Sequence, residues 1–150
     1  FIGDNGDHAP EFKARFTGYY RTLLAHGLDK NSSQFDAIST EDAGSEAIRG
    51  LIEAGELPQA IVCASDLIAM GALRALRQAK IKVPDDVAVV GYDNIAVSAY
   101  TTPALTTVQQ NTKLAGELLV SALLKAINNE EVDDYLMPAE VIVRQSCGSQ

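Results

Sequence analysis

The chain has 150 residues, about the size of one domain, and 47% of them are apolar, enough for a core without disulfide or metal staples. Its 12 basic and 20 acidic residues give a net charge of -8, which repels phosphate backbones and argues against direct nucleic-acid binding by this segment. No apolar run reaches the ~18 residues of a membrane helix, two cysteines are too few for a secreted disulfide scaffold, and no signal-peptide pattern is present.

Short apolar runs alternate with longer helical patterns. Phe1-Ile2-Gly3 reads as the tail of a strand. Residues 10–26 read as a helix, because Phe12, Phe16, Tyr19, Tyr20, Leu23 and Leu24 recur at steps of three and four before Gly27. Residues 35–38 suit a short strand. Thr40 or Asp42 caps a second helix that runs to about Ala54 and stops at Gly55. Residues 60–64 form a buried-strand pattern. Ser65 and Asp66 then offer cap oxygens to a helix over 67–80, which Val83-Pro84 ends. Residues 87–91 are the next buried strand, and 94–110 a long connection punctuated by Pro103. Residues 112–128 are helical, and 141–144 make a last strand.

This alternation predicts an α/β fold, a parallel sheet flanked by helices. Ligands of such sheets bind beyond the carboxyl ends of the strands. That rim holds Asp4 and Asn5 after the first strand, Ser65 and Asp66 after the next, and Tyr92, Asp93 and Asn94 after another.

The familiar catalytic patterns are missing. There is no phosphate loop, no dinucleotide glycine fingerprint and no Gly-x-Ser-x-Gly elbow. His8 and His26 have no zinc-ligand spacing. Cys63 lies inside an apolar strand and reads as a small buried hydrophobe, and Cys147 has no nearby partner in sequence. Asp66 and Asp93 are candidates for paired carboxylates or a magnesium site, but no second acidic cluster or nucleophile accompanies them. The reading is therefore no enzyme, no cofactor and no metal.

The run Leu-Pro-Gln-Ala-Ile-Val-Cys-Ala-Ser-Asp (57–66) is followed by Met-Gly-Ala-Leu (70–73). Val-Pro-Asp-Asp-Val-Ala-Val-Val-Gly-Tyr-Asp-Asn (83–94) and Pro-Ala-Leu-Thr-Thr-Val-Gln-Gln (103–110) come next. With Arg15-Phe16-Thr17-Gly18-Tyr19 and the closing stretch 137–146, this ordered set resembles the effector-binding region of LacI/GalR-family bacterial transcription regulators. The resemblance implies the C-terminal lobe of a two-lobed, periplasmic-binding-protein-like domain. Residues 1–110 would form that lobe, 111–138 a segment of the other lobe, and 139–150 a return strand and tail. It also implies a small-molecule effector (sugar, sugar phosphate or purine), a cytoplasmic homodimer, and operator DNA contacted only through an N-terminal head outside this chain.

The resemblance assigns ligand binding to Asp93, Arg15, Ser65 and Gln110. An ionised Asp93 would accept charge-assisted hydrogen bonds, and the Arg15 fork would hold two ligand oxygens. Ser65 stands where many members carry asparagine, and reads equally as a ligand contact or as a helix cap. Gln110 either touches ligand or ties the lobe crossover. Asp66 takes a structural role as cap or hinge-side acceptor, and Tyr92 bonds within the lobe. Met70, Arg74, Ala99 and Tyr100 fall on the family's dimer surface. The alternative on the same fold is a periplasmic sugar-binding component of a transporter.

Overall fold

The computed structural model describes residues 1–4 and 6–149; Asn5 lies outside the described residues. Helix α1 (Pro10–Ala25) starts at a proline, whose missing N–H is not needed in a first turn. It ends where Gly27 takes φ 67° and the Leu28 N–H reaches back to the Leu23 carbonyl. Helix α2 (Glu41–Ala54) is capped by the Thr40 hydroxyl, which accepts from the Ala43 N–H, and is stopped by Gly55 at φ 70°. Helix α3 (Asp66–Gln78) is capped by Ser65 in the same way. It stops two residues short of the expected end. Lys80 takes a left-handed φ of 61°, and the Ile81 N–H bonds the Leu76 carbonyl, so the chain has left the helix before Val83-Pro84.

Strand β1 (Ala60–Val62) pairs in parallel with β2 (Ala88–Val90). Parallel bridges extend this pair on both sides. Ile2 lies beside Cys63 and Phe35, and Val90 beside Thr106. The spatial order is thus the segments at Phe35, Ile2, β1, β2 and Thr106, or second, first, third, fourth and fifth in sequence. This is the flavodoxin-like doubly wound order, whose direction reverses between the first and third segments. The expected strand over 35–38 is reduced to the single bridge at Phe35.

The connection 94–110 is not all loop. It contains a 3-10 helix (Ala96–Tyr100) and then β3 (Thr107–Gln110), which pairs antiparallel with β4 (Ala139–Ile142). The sheet is therefore parallel with an added antiparallel pair. The final strand also lies two residues earlier than expected, because Thr107 pairs with Ile142 and Gln110 with Ala139, which fixes the register.

The core lies between the sheet and the α2–α3 layer. Ile2, Ile48, Ile61, Ile68, Leu76, Val89 and Leu105 are fully buried there. Two glycines bring the helices together: a methyl group on Gly44 would overlap the Ile68 carbonyl, and one on Gly71 the Glu41 carbonyl. The Ser45 hydroxyl donates to the Gly71 carbonyl across the same crossing at 2.8 Å.

Helix α4 (Thr112–Ile127) buries none of its residues and exposes Leu119, Val120, Leu123, Leu124 and Ile127. Beyond β4 the chain returns to the core. Ser146 is fully buried, accepts from the Thr106 N–H at 2.8 Å and donates to the Val89 carbonyl at 2.6 Å.

Candidate functional site

The carboxyl ends of the parallel segments carry Asp36, Asp4, Ser65 and Asp93 along one rim. Helix α1 sets its first half over the reversal point of the strand order. Arg15 sits one turn after Phe12 on that helix, so both side chains lie on one face. One guanidinium nitrogen donates to the Ala64 carbonyl, at the end of the strand beside the reversal point. The other terminal nitrogen lies 3.4 Å from the Asp93 carboxylate. The Tyr92 ring lies 3.8 Å from the guanidinium carbon and the Phe12 ring 5.2 Å. Only 15% of the Arg15 side chain remains exposed, against 38% for Asp93.

Asp93 adopts φ 111° and Asn94 φ 52°, while the Asp93 N–H bonds the Val108 carbonyl at 2.9 Å. Such backbone angles are disfavoured for residues with a Cβ and persist only where the surroundings hold them. Here the hold comes from below. The Asn94 N–H donates to the Thr107 hydroxyl, and the Asn94 side-chain oxygen accepts from Arg144 at 2.7 Å. Arg144 also donates to the Leu105 carbonyl and the Ser98 hydroxyl. Asp66, fully buried, accepts from the Thr107 hydroxyl and the Ile95 N–H. A polar web thus ties the Asp93 loop to α3, β3 and the returning chain. The resemblance includes Arg144 in its closing stretch but assigns it no role, and its partners lie 38–50 residues away in sequence.

Burial raises the Asp93 carboxyl above the ordinary range, Arg15 pulls it back, and the nearby Asp66 adds to the rise. Burial likewise raises Asp66, against the hydrogen bonds from Thr107 and Ile95. Asp66 is engaged internally, so the two aspartates do not form a paired acid/base or metal site. Among the described residues no three His, Cys, Asp or Glu side chains gather as a metal site. Cys63 is buried, and burial pushes its thiol up to about 12, beyond useful nucleophilicity.

Of the sequence-derived ligand residues, Arg15, Asp93 and Gln110 converge. Gln110 donates to the Tyr92 hydroxyl at 3.4 Å and so joins the group through the Tyr92 side chain. Ser65 does not reach the rim surface; it is 1% exposed, caps α3 and accepts from the Ser39 hydroxyl at 2.7 Å. Met70 and Arg74 share a face of α3, where Arg74 bonds Asp42 and Ser45 within the chain. Ala99 is exposed and Tyr100 is 85% exposed.

Residues 1–147 match the periplasmic binding protein-like domain family. The chain belongs to that family. It is 36% identical to the HTH-type transcriptional regulator RegA of Clostridium saccharobutylicum, over 97% of the chain and 45% of the relative. It is 31% identical to the transcriptional repressor PurR of Aliivibrio salmonicida, over 89% and 41%. The solved complex of the transcriptional regulator CelR with cellobiose superposes with a TM-score of 0.81 at 35% identity, covering 88% of this chain and 41% of that one. The chain therefore spans less than half the length of these relatives, which are regulators of the LacI/GalR type.

Proposed function

We propose that this chain supplies one lobe of the effector-binding and dimerisation module of a DNA-binding transcription regulator. Residues 1–110 form the lobe, 111–138 belong to its opposite lobe, and 139–150 return to it. The support for that division is α4, an apolar helix none of whose residues is buried within the chain. The effector is a small hydroxylated molecule such as a sugar, and DNA is contacted through a head outside this chain, in a cytoplasmic homodimer. The periplasmic alternative gains nothing from the relatives, which carry regulator names.

The observation that carries the reading is the Arg15–Asp93 pair, donor beside acceptor over the strand-order reversal. Asp93 accepts from effector hydroxyls, and Arg15 donates to a neighbouring effector oxygen. Binding between lobes shifts their angle only as far as the effector prefers one arrangement over the other. Met70, Arg74, Ala99 and Tyr100 lie in the dimer face of this proposal, and Ser65 supports the site from below.

The test is thermal denaturation of the two-lobed protein with a panel of neutral sugars including cellobiose, sugar phosphates and purines. A ligand at ~100 times its dissociation constant adds ~2.7 kcal/mol of stability. The reading expects one clear responder, lost in Asp93→Ala. A silent panel, or a response undiminished in that variant, counts against it.

A further inference from the structure

We infer that Tyr92 is the positioning residue of this site, its ring the platform that fixes the Arg15 guanidinium beside Asp93. The inference rests on the effector reading for its functional meaning, but its geometry stands apart from it.

A long arginine side chain on a helix surface ordinarily samples many rotamers, and ordering it costs side-chain entropy. Three contacts oppose that freedom here. The Ala64 carbonyl takes one N–H, Asp93 faces a second nitrogen at 3.4 Å, and the Tyr92 ring lies 3.8 Å from the guanidinium carbon. The first two act on the edge of the guanidinium. Neither prevents it from turning about its own bonds to carbonyl and carboxylate. An aromatic surface at 3.8 Å does, because stacking fixes the plane, and a partly desolvated cation over a ring is held more strongly than an exposed one. Phe12, at 5.2 Å, is more distant and comes from α1 itself, so it moves with Arg15 rather than anchoring it to the sheet.

Tyr92 has a second connection. Its hydroxyl accepts from Gln110, the last residue of β3 before α4 begins at Thr112. The same side chain therefore touches the Arg15 platform and the crossover out of the lobe. In the effector reading, the ring sets the plane in which Arg15 presents its N–H groups, while the hydroxyl separately meets the crossover.

The test uses the titration of Asp93 in the two-lobed protein, followed by carboxylate NMR without any effector. The charges around Asp93 are Arg15 from α1, which favours its ionised form, and Asp66 from α3, which opposes it. Tyr92→Leu removes the ring and releases Arg15, so the Asp93 midpoint rises. Arg15→Gln gives the same direction and sets the full scale. Tyr92→Phe keeps the platform and leaves the midpoint unchanged. Tyr92→Met replaces the leucine variant if that one fails to fold. A midpoint that moves in Arg15→Gln but not in Tyr92→Leu or Tyr92→Met overturns the inference, as does an equal shift in Tyr92→Phe. Because no effector enters the measurement, it distinguishes failure of the platform from failure of the effector reading, which the ligand panel tests separately.

Discussion

Gly71 and Gly50 both lie inside helices, and alanine has opposite consequences at the two. Glycine is less favourable than alanine in a helix interior by about 1 kcal/mol. At Gly50 nothing lies within 4 Å of the position a Cβ would take, so Gly50→Ala gains that propensity in full. At Gly71 the new methyl overlaps the backbone of Glu41, which no rotamer change relieves. Overpacking of this kind costs about 1–3 kcal/mol, and moving α3 away from α2 also strains the Ser45 bond to the Gly71 carbonyl. The steric term equals or exceeds the propensity term at Gly71 and is absent at Gly50. Gly50→Ala is thus expected to stabilise by up to about 1 kcal/mol. Gly71→Ala is expected to destabilise by about 2 kcal/mol or less. Urea unfolding of both variants reads the difference as a separation of midpoints at equal slope. If Gly71→Ala is as stable as Gly50→Ala, the close crossing does not constrain this protein and the argument is wrong.

Three further outcomes are expected. Because Asp93 titrates above the ordinary range, effector affinity falls on acidification before exposed aspartates protonate, and calorimetry across pH finds that fall absent in Asp93→Asn. Asp66 also has a raised pKa, so the folded state holds its proton more tightly than the unfolded chain does. Its contribution to stability is therefore greatest below the ordinary Asp pKa and is lost as pH rises through the raised one. The stability gap between wild type and Asp66→Asn must change in that window, and a gap constant with pH refutes the assignment. Ser146→Ala leaves the Thr106 N–H and the Val89 carbonyl without their partner, a loss of about 1–3 kcal/mol or more that equilibrium unfolding measures.

Local signals in the sequence located the elements well where the chemistry is local. Thr40 and Ser65 are short hydroxyl side chains before apolar periodic runs, and of the candidates Thr40 or Asp42 and Ser65 or Asp66 they are the ones that cap the helices. Gly55 and Gly27 stop helices for the same local reason. The strand β3 was invisible because Thr-Thr-Val-Gln-Gln carries no long apolar run; it is a strand through its pairing with β4. The rim was legible through an ordered resemblance, which proposed Arg15 and Asp93 far apart in sequence, and the structure places them 3.4 Å apart. What supports them was not legible. Arg144, the Gly44–Gly71 crossing and the Tyr92 ring beneath Arg15 each depend on partners that only the tertiary fold brings near.

The return of the chain to the core beyond β4 has a consequence for its synthesis. Thr106 and Val89 emerge from a ribosome long before Ser146, which lies 40 and 57 residues later and completes their hydrogen bonding. Arg144 bonds the Leu105 carbonyl across 39 residues and steadies Asn94 across 50. The nascent chain therefore carries unfinished backbone near β2 while the apolar α4 passes through the exit tunnel. Closure is a late, long-range event of the kind that folds slowly and exposes sticky surface meanwhile. Chain synthesis halted between β4 and Ser146 leaves the Thr106 N–H and the Val89 carbonyl without the partner that closes this seam.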